Sequence, residues 1–257
     1  MVSIRHKITG AFLLLSLLPI AVGTFFAIRT LIAQMETQAW ESLRKDMEIA
    51  NFVIDQRQTA LRAITNRLSE TAPLGSKVQF ARPDELMEYL DEVMHKHGLQ
   101  MLILTDSRGR IIAHGGPRTS RQAGPLKETA LPRELLLGDR VSIEVVPAQF
   151  LELVGMRHAL GSNQPSGMMI TAVSGVAATS GEASGFLMAG YLLNNDVEIA
   201  DEFENLRGSA LALYLGPRRI STDSRERAGK RRLDDSLPPA IEDQVFKEKR
   251  EVFRQIQ

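Results

Sequence analysis

Residues 102–115 read LILTDSRGRIIAHG, and this stretch decides how the chain folds. The apolar run Leu99 to Thr105 predicts a strand, and Arg110 to His114 predicts a second. Between them Asp106-Ser107-Arg108-Gly109 supplies turn chemistry: the Asp side chain bonds back to the backbone and Gly accepts a positive φ. The three pieces make a hairpin. Just before it, DELMEYLDEVMHKHG (84–98) predicts a helix capped by Asp84, apolar on one side through Leu86, Leu90, Val93 and Met94, and stopped at Gly98.

The same order returns further along the chain. Asn195 to Glu198 has the form N-x-x-E, a variant of the capping box, and opens a helix through Phe203 and Leu206 to Gly208. A strand from Ala210 to Leu215, a turn at Gly216-Pro217 and a strand from Arg218 to Thr222 follow. LALYLGPRRI (211–220) aligns with LILTDSRGRI (102–111), sharing L-x-L and R-I around a turn. The repeated unit is helix, glycine, strand, turn, strand.

Such a unit cannot complete a core alone. The first is completed by expected strands at Val141 to Val146, Phe150 to Arg157, Met168 to Val176 and Phe186 to Leu193. Short turns at 162–167 and 177–185 make the sheet mostly antiparallel, and the fold class α+β. The Gly-, Pro- and Arg-rich segment 115–138, with one helical piece LPRELLLG, reads as a lid or a variable loop. After the second unit only a polar, basic stretch and a charged helix at 240–256 remain, so the chain is expected to be cut short inside its second module.

From Ile8 to Ile28 there are 21 residues without a charge. As a helix they span about 31 Å, close to the thickness of a bilayer core. Arg5 and Lys7 precede the run, which favours an amino terminus in the cytoplasm and the remainder outside. The apolar run is too long for a cleaved signal peptide, and no convincing small-x-small site follows it. A helix buried in a soluble core is the third alternative; the retained anchor is the reading preferred.

Residues 31–70 contain neither Gly nor Pro and are rich in good helix formers. Leu43, Met47, Ala50, Ile54, Leu61, Ile64 and Leu68 form one apolar stripe, so a homodimer through the Leu43–Leu68 helix is expected. Two shorter helices broken near Asn51 are the alternative.

Composition excludes several classes. The chain has 31 basic and 31 acidic residues and 5% aromatics, which gives no case for a nucleic-acid binder. With no cysteine, disulfides, thiolate metal sites and Cys nucleophiles are ruled out. No phosphate-binding, nucleophile-elbow, zincin or dinucleotide-binding pattern occurs, so no enzyme activity and no cofactor is expected. His95 and His97 point to different sides of a helix, and no metal site is expected. The basic run Arg225, Arg227, Lys230, Arg231, Arg232 is diluted by Glu226, Asp234 and Asp235 and reads as a solvated loop.

The basic amino terminus, single span, long helix and the motifs LILTDSRGRIIAHG, GFLMAGYLLNNDVEIADEFENLRG (185–208) and ALALYLGPRRISTD (210–223) together resemble the double Cache extracytoplasmic regions of bacterial membrane receptors. These include sensor histidine kinases of two-component systems and chemotaxis receptors. The resemblance covers roughly 1–250. It implies a cytoplasmic tail (1–7), a transmembrane helix (8–28), a spine helix (31–70), a membrane-distal PAS-like module (84–194) and the start of a membrane-proximal module (195–257). It further implies an inner-membrane sensor that binds a small-molecule ligand, with a second span and an output domain that this sequence lacks. A non-sensory, membrane-anchored assembly module is the alternative. Polar groups at strand ends supply the candidate ligand residues. Arg157 offers a fork for a carboxylate and His158 stands beside it, while Tyr191 and Asn194 end another strand.

Overall fold

The computed structural model describes residues 4–71, 74, 82–115, 140–160, 164–177, 183–224, 231, 233 and 236–247; side chains at 4–16, 18–21, 83, 183 and 240 are outside that description. The expected lid at 115–138 falls outside the described residues from 116 onward, as do the helical piece in it and Arg225, Arg227, Lys230 and Arg232 of the basic run. The chain divides into two compact units, one built on residues 1–49 and the other on Ala50–Val252.

Helix α1 runs Ile4–Ser69 without interruption, so no break occurs at Asn51. Among the described residues no helix is long and apolar enough to cross a membrane; most side chains of the expected span at 8–28 lie outside those described. From Leu17 to Met47 the described apolar side chains are exposed, including Phe25, Phe26, Leu31, Met35, Leu43 and Met47. Past Ala50 the helix acquires a buried face of Val53, Leu61, Thr65 and Leu68, at the three- and four-residue spacing of one helical side. Leu61 and Leu68 are therefore spent on the chain's own core, whereas Leu43 and Met47 are not.

Helix α2, Pro83–His97, begins with Pro at its first position, where the missing N–H costs nothing. Asp84 lies inside the first turn rather than capping it: the cap position is Arg82, whose side chain makes no capping bond. Asp84 and Glu85 favour that end through their charge. The helix ends at Gly98 with φ 63°, as its glycine predicts.

Strands β1 (Met101–Asp106), β2 (Ile111–Gly115), β3 (Arg140–Pro147), β4 (Ser166–Ala177) and β5 (Ala183–Leu192) form one antiparallel sheet in the order β2-β1-β5-β4-β3. The β1–β2 turn closes as expected: Asp106 Oδ1 accepts the amides of Arg108 and Arg110, both at 2.9 Å, and Gly109 sits at φ 81°. Phe150 to Arg157, expected as a strand, is instead helix α3 (Ala148–Leu153) followed by a single 3-10 turn, Arg157–Leu160. Phe150, Leu151, Leu153 and Val154 recur at helical spacing, and Gly155 at φ 76° ends the turn.

The sheet buries both faces. Leu102, Leu104, Ile170, Ala172, Leu187 and Ala189 meet α1 and α2; Met101, Ile103, Met169, Val173, Met188 and Leu192 meet Leu151, Val154, Met156 and Leu160. Such two-sided burial explains why β1 is a continuous apolar run rather than an alternating one.

Helix α4, Glu198–Arg207, ends at Gly208 with φ 68°, and β6 (Ala212–Leu215) pairs antiparallel with β7 (Arg218–Thr222). The expected N-x-x-E box does not form. Asn195 adopts φ 58°, and Asp196 Oδ1 accepts the Glu198 amide at 2.8 Å instead. Arg231 clamps the hairpin to α4, donating to Asp201 at 2.8 Å and to the Thr222 carbonyl at 2.7 Å, so this residue of the basic run is structural. Of the expected closing helix, α5 (Pro239–Glu242) and a helical turn at Asp243–Lys247 are described; the rest lies beyond the described residues.

Candidate functional site

A cavity of about 480 Å³ opens at one end of the five-stranded sheet, lined by Met94, Leu99, Gln100, Met156, His158, Ala159, Leu192, Asn194, Asn195 and Asp196. Its size falls within the range of small-molecule sites. Each wall follows from a local chain reversal. Gly98 ends α2 and turns Leu99 and Gln100 toward β1, where Gln100 Oε1 accepts the Leu192 amide at 2.8 Å. The 3-10 turn brings in His158 and Ala159.

The third wall is the passage from β5 into α4. Asn194 is buried, accepting from the Met168 amide at 2.7 Å and donating to Gln164 Oε1 at 2.6 Å. Asn195 donates through Nδ2 to the Ala159 carbonyl at 2.7 Å, which ties this passage to the 3-10 turn. Asp196 is held by its own backbone, since the Ser221 hydroxyl donates to its carbonyl oxygen. Its side chain is 8% exposed; Oδ1 takes the Glu198 amide, while Oδ2 is buried with no hydrogen-bond partner. Burial pushes the Asp196 carboxyl above the ordinary carboxylate range, against the pull of the Glu198 amide, the Tyr191 hydroxyl and the charge of Arg57.

Of the four residues expected to bind ligand, the structure brings His158 and Asn194 to the cavity. Arg157 shares the 3-10 turn with His158 but is not in the lining. Tyr191 faces the other way, because side chains alternate along β5 and its neighbour Leu192 takes the cavity side. Gln100, Met156 and Asp196 were not anticipated. Only the polar cluster Asn194-Asn195-Asp196 at a strand end could have pointed to the last.

Tyr191 belongs to a charged junction with α1. Arg57 Nη1 donates to the Tyr191 hydroxyl at 3.3 Å and to Glu198 Oε2 at 3.2 Å, and Nη2 donates to Glu202 Oε2 at 3.3 Å. Tyr191 itself donates to Glu198 Oε2 at 3.2 Å. Burial, then the charge of Asp196, holds the phenol well above its usual range, although Arg57 acts in the opposite sense. Burial works against the Arg57 charge, but Tyr191, Glu198, Glu202 and Asp196 together hold it firmly protonated. Asp196 thus touches the cavity on one side and acts electrostatically on the α1 junction on the other.

No protein-family model matches the chain, and no curated protein matches its sequence significantly. Solved structures do. The periplasmic domain of Vibrio cholerae LuxQ superposes with a TM-score of 0.53 at 15% identity, over 71% of this chain and 79% of that one. The V. cholerae histidine kinase DctB sensor domain reaches 0.45 at 14% identity, over 80% and 74%. The ligand-binding domain of the Campylobacter jejuni chemoreceptor Tlp3 in complex with L-valine reaches 0.41 at 10%, over 69% and 68%. The LuxQ likeness establishes the fold, and the resemblance expected from the sequence, to a PAS-like extracytoplasmic sensor region, holds at that level.

Proposed function

We propose that this chain is the extracytoplasmic input module of a membrane-anchored signalling receptor, without catalytic activity of its own, and that it binds a small solute in the cavity at the end of the sheet. The observation that carries this reading is the position of Asp196, which lines the cavity and acts on the Tyr191–Arg57 junction that binds the sheet and α4 to α1. A solute that changes the charge or position of Asp196 binds two packings of α1 unequally, and unequal affinity is all a ligand needs to shift a conformational equilibrium.

In this reading residues 8–28 cross the bacterial inner membrane with the amino terminus in the cytoplasm, and 84–194 form the membrane-distal module. Residues 195–257 begin the next module. His158 and Asn194 contribute to the solute site directly, whereas Tyr191 carries the response to the spine. Exposed Leu31, Met35, Leu43 and Met47 on α1 are the surface through which two copies associate.

Two measurements test the proposal. The chain has no cysteine, so a single Ser107→Cys substitution in the exposed β1–β2 turn reports topology. Labelling by a membrane-impermeant maleimide in intact cells is expected; labelling only after lysis rejects the extracytoplasmic placement. A thermal-shift panel of amines, amino acids, organic acids and sugars should contain at least one stabilising solute. A protein partner recovered with no stabilising solute would favour the assembly alternative.

A further inference from the structure

We infer that the outer edge of β3 is an interface between copies of this chain, two β3 strands pairing antiparallel about Ile143 so that two sheets join into one.

β3 is the terminal strand of its sheet, paired with β4 on one side and, among the described residues, with no strand on the other. Such an edge offers a row of amides and carbonyls to any extended chain, and folded proteins protect it by shortness, bulges, lysines or an interior proline. β3 has none of these devices. It is 8 residues long, its register against β4 runs residue by residue from Arg140 to Pro147, it contains no Lys, and its proline is the last residue. Ile143 and Val145 are 41% and 59% exposed. They share a sheet face with their β4 partners Ile170 and Met168, and the core that buries Ile170 leaves them uncovered.

The pattern of the edge selects a second copy as its occupant. Val141, Ile143 and Val145 are alternate residues on one face, and V-x-I-x-V reads the same in both directions. Reversed upon itself, the strand sets Ile143 opposite Ile143 of the second copy and Val141 opposite Val145 on either side. These are cross-strand pairs of the kind that stabilise sheets. The other face carries Arg140, Ser142 and Glu144. Within one chain Arg140 Nη2 donates to Glu144 Oε1 at 2.6 Å. In the paired arrangement each Arg140 stands diagonal to Glu144 of the other copy, within reach of long side chains, and no like charges are directly opposed. Both the apolar and the charged face are therefore complementary to themselves, as a two-fold interface requires. One strand edge is small beside the area a stable dimer buries, so the association is weak and concentration-dependent.

The test is site-directed crosslinking of the full-length chain, which contains no cysteine of its own. Directly opposed residues of an antiparallel pair lie about 5 Å apart between Cα atoms, a distance a disulfide spans. Ile143→Cys is expected to give covalent dimer under mild oxidation in at least about fivefold greater yield than Val141→Cys or Val145→Cys, each of which would face a valine. The double variant Val141→Cys/Val145→Cys should recover the yield, because its cysteines oppose each other across the seam but stand about 13 Å apart within a chain. Glu144→Arg, which sets a second cation diagonal to Arg140, should lower the Ile143→Cys yield, and adding Arg140→Glu should restore it. Equal yields from Ile143→Cys and Val141→Cys would show random collision and overturn the proposal. So would a Ser142→Cys variant that crosslinks better than Ile143→Cys, since it places the two-fold axis elsewhere. No dimer through Ile143→Cys, with ready dimer through Leu43→Cys on α1, would leave α1 association standing and overturn the β3 seam.

Discussion

Arg57 and Tyr191 stand 134 positions apart in the chain, and the guanidinium donates to the phenolic oxygen at 3.3 Å. The guanidinium carbon also lies 5.4 Å from the centre of the Tyr191 ring, within cation–π range. Because Arg57 belongs to α1 and Tyr191 to β5, the pair is a direct polar tie between the long helix and the sheet. Glu198 and Glu202 extend it to α4.

Replacing Arg57 by Met keeps much of the stem and removes every donor. The carboxylates it serves are partly exposed, so each ion pair is discounted for solvent screening, and the total loss expected is about 1 kcal/mol in urea unfolding. Arg57→Lys should recover less than half of that, because a single ammonium cannot reproduce a fork shared among Tyr191, Glu198 and Glu202. Equal stability of Arg57→Met and the parent protein would mean that this junction does not hold α1.

Asp196 should make the protein less stable than it need be. Its folded carboxyl lies above the ordinary value, so the folded state binds the proton more tightly than the unfolded chain does. That contribution is fully present below the unfolded value of about 3.9 and is lost as pH rises through the folded value. Asp106 has the opposite sign. Some burial notwithstanding, the Arg110 and Arg108 amides and the Arg110 guanidinium hold its carboxyl low, so its contribution is lost as pH falls through the folded value. Comparing Asp196→Asn with the parent cancels Asp106. At neutral pH the variant should be about 1 kcal/mol more stable, the gap closing toward pH 4. A gap that is constant with pH would show that the Asp196 charge is not the cause.

The glycines of β5 differ in what surrounds them. A Cβ at Gly185 would stand 1.9 Å from the Thr105 carbonyl oxygen, a backbone atom fixed by the β1–β5 ladder. At Gly190 the nearest atoms are Met101 Cε at 2.5 Å and Met169 Sδ at 2.7 Å, both on flexible side chains. Gly185→Ala is therefore expected to cost about 3 kcal/mol and Gly190→Ala about 1 kcal/mol. Thermal unfolding of the two variants side by side checks the order, and a reversed order would contradict the packing described.

Local chemistry was the legible part of this chain. The Asp106–Gly109 turn and the stops at Gly98 and Gly208 were readable because one residue's side chain or φ decides each. Phe150 to Arg157 reads as a strand in the sequence because a short apolar run does not by itself distinguish a buried strand from one turn of helix. The site was half legible. His158 and Asn194 lie at element ends that converge, but grouping Tyr191 with them overlooked the alternation that sends it to the α1 face. Asp196 is marked in the sequence only by its polar neighbours Asn194 and Asn195; the contact that fixes its backbone comes from Ser221, 25 positions later, and leaves no local signal.

Leu61 and Leu43 lie on the same helix, and the sequence assigns both to one apolar stripe, yet they occupy different surroundings. Leu61 is 5% exposed and packed in the core shared with the sheet, while Leu43 is 43% exposed. Leu61→Ala should lower the unfolding free energy by about 2–4 kcal/mol at any protein concentration, through lost contact and the cavity left behind. Leu43→Ala should change the stability of the folded chain by less than about 0.5 kcal/mol. If α1 joins two copies, the effect of Leu43→Ala appears instead as weaker self-association in sedimentation equilibrium, growing as the protein is diluted. A Leu43 variant whose self-association matches the parent at every concentration would remove this part of α1 from the dimer seam. A Leu61 variant of unchanged stability would remove the other half of the stripe from the core.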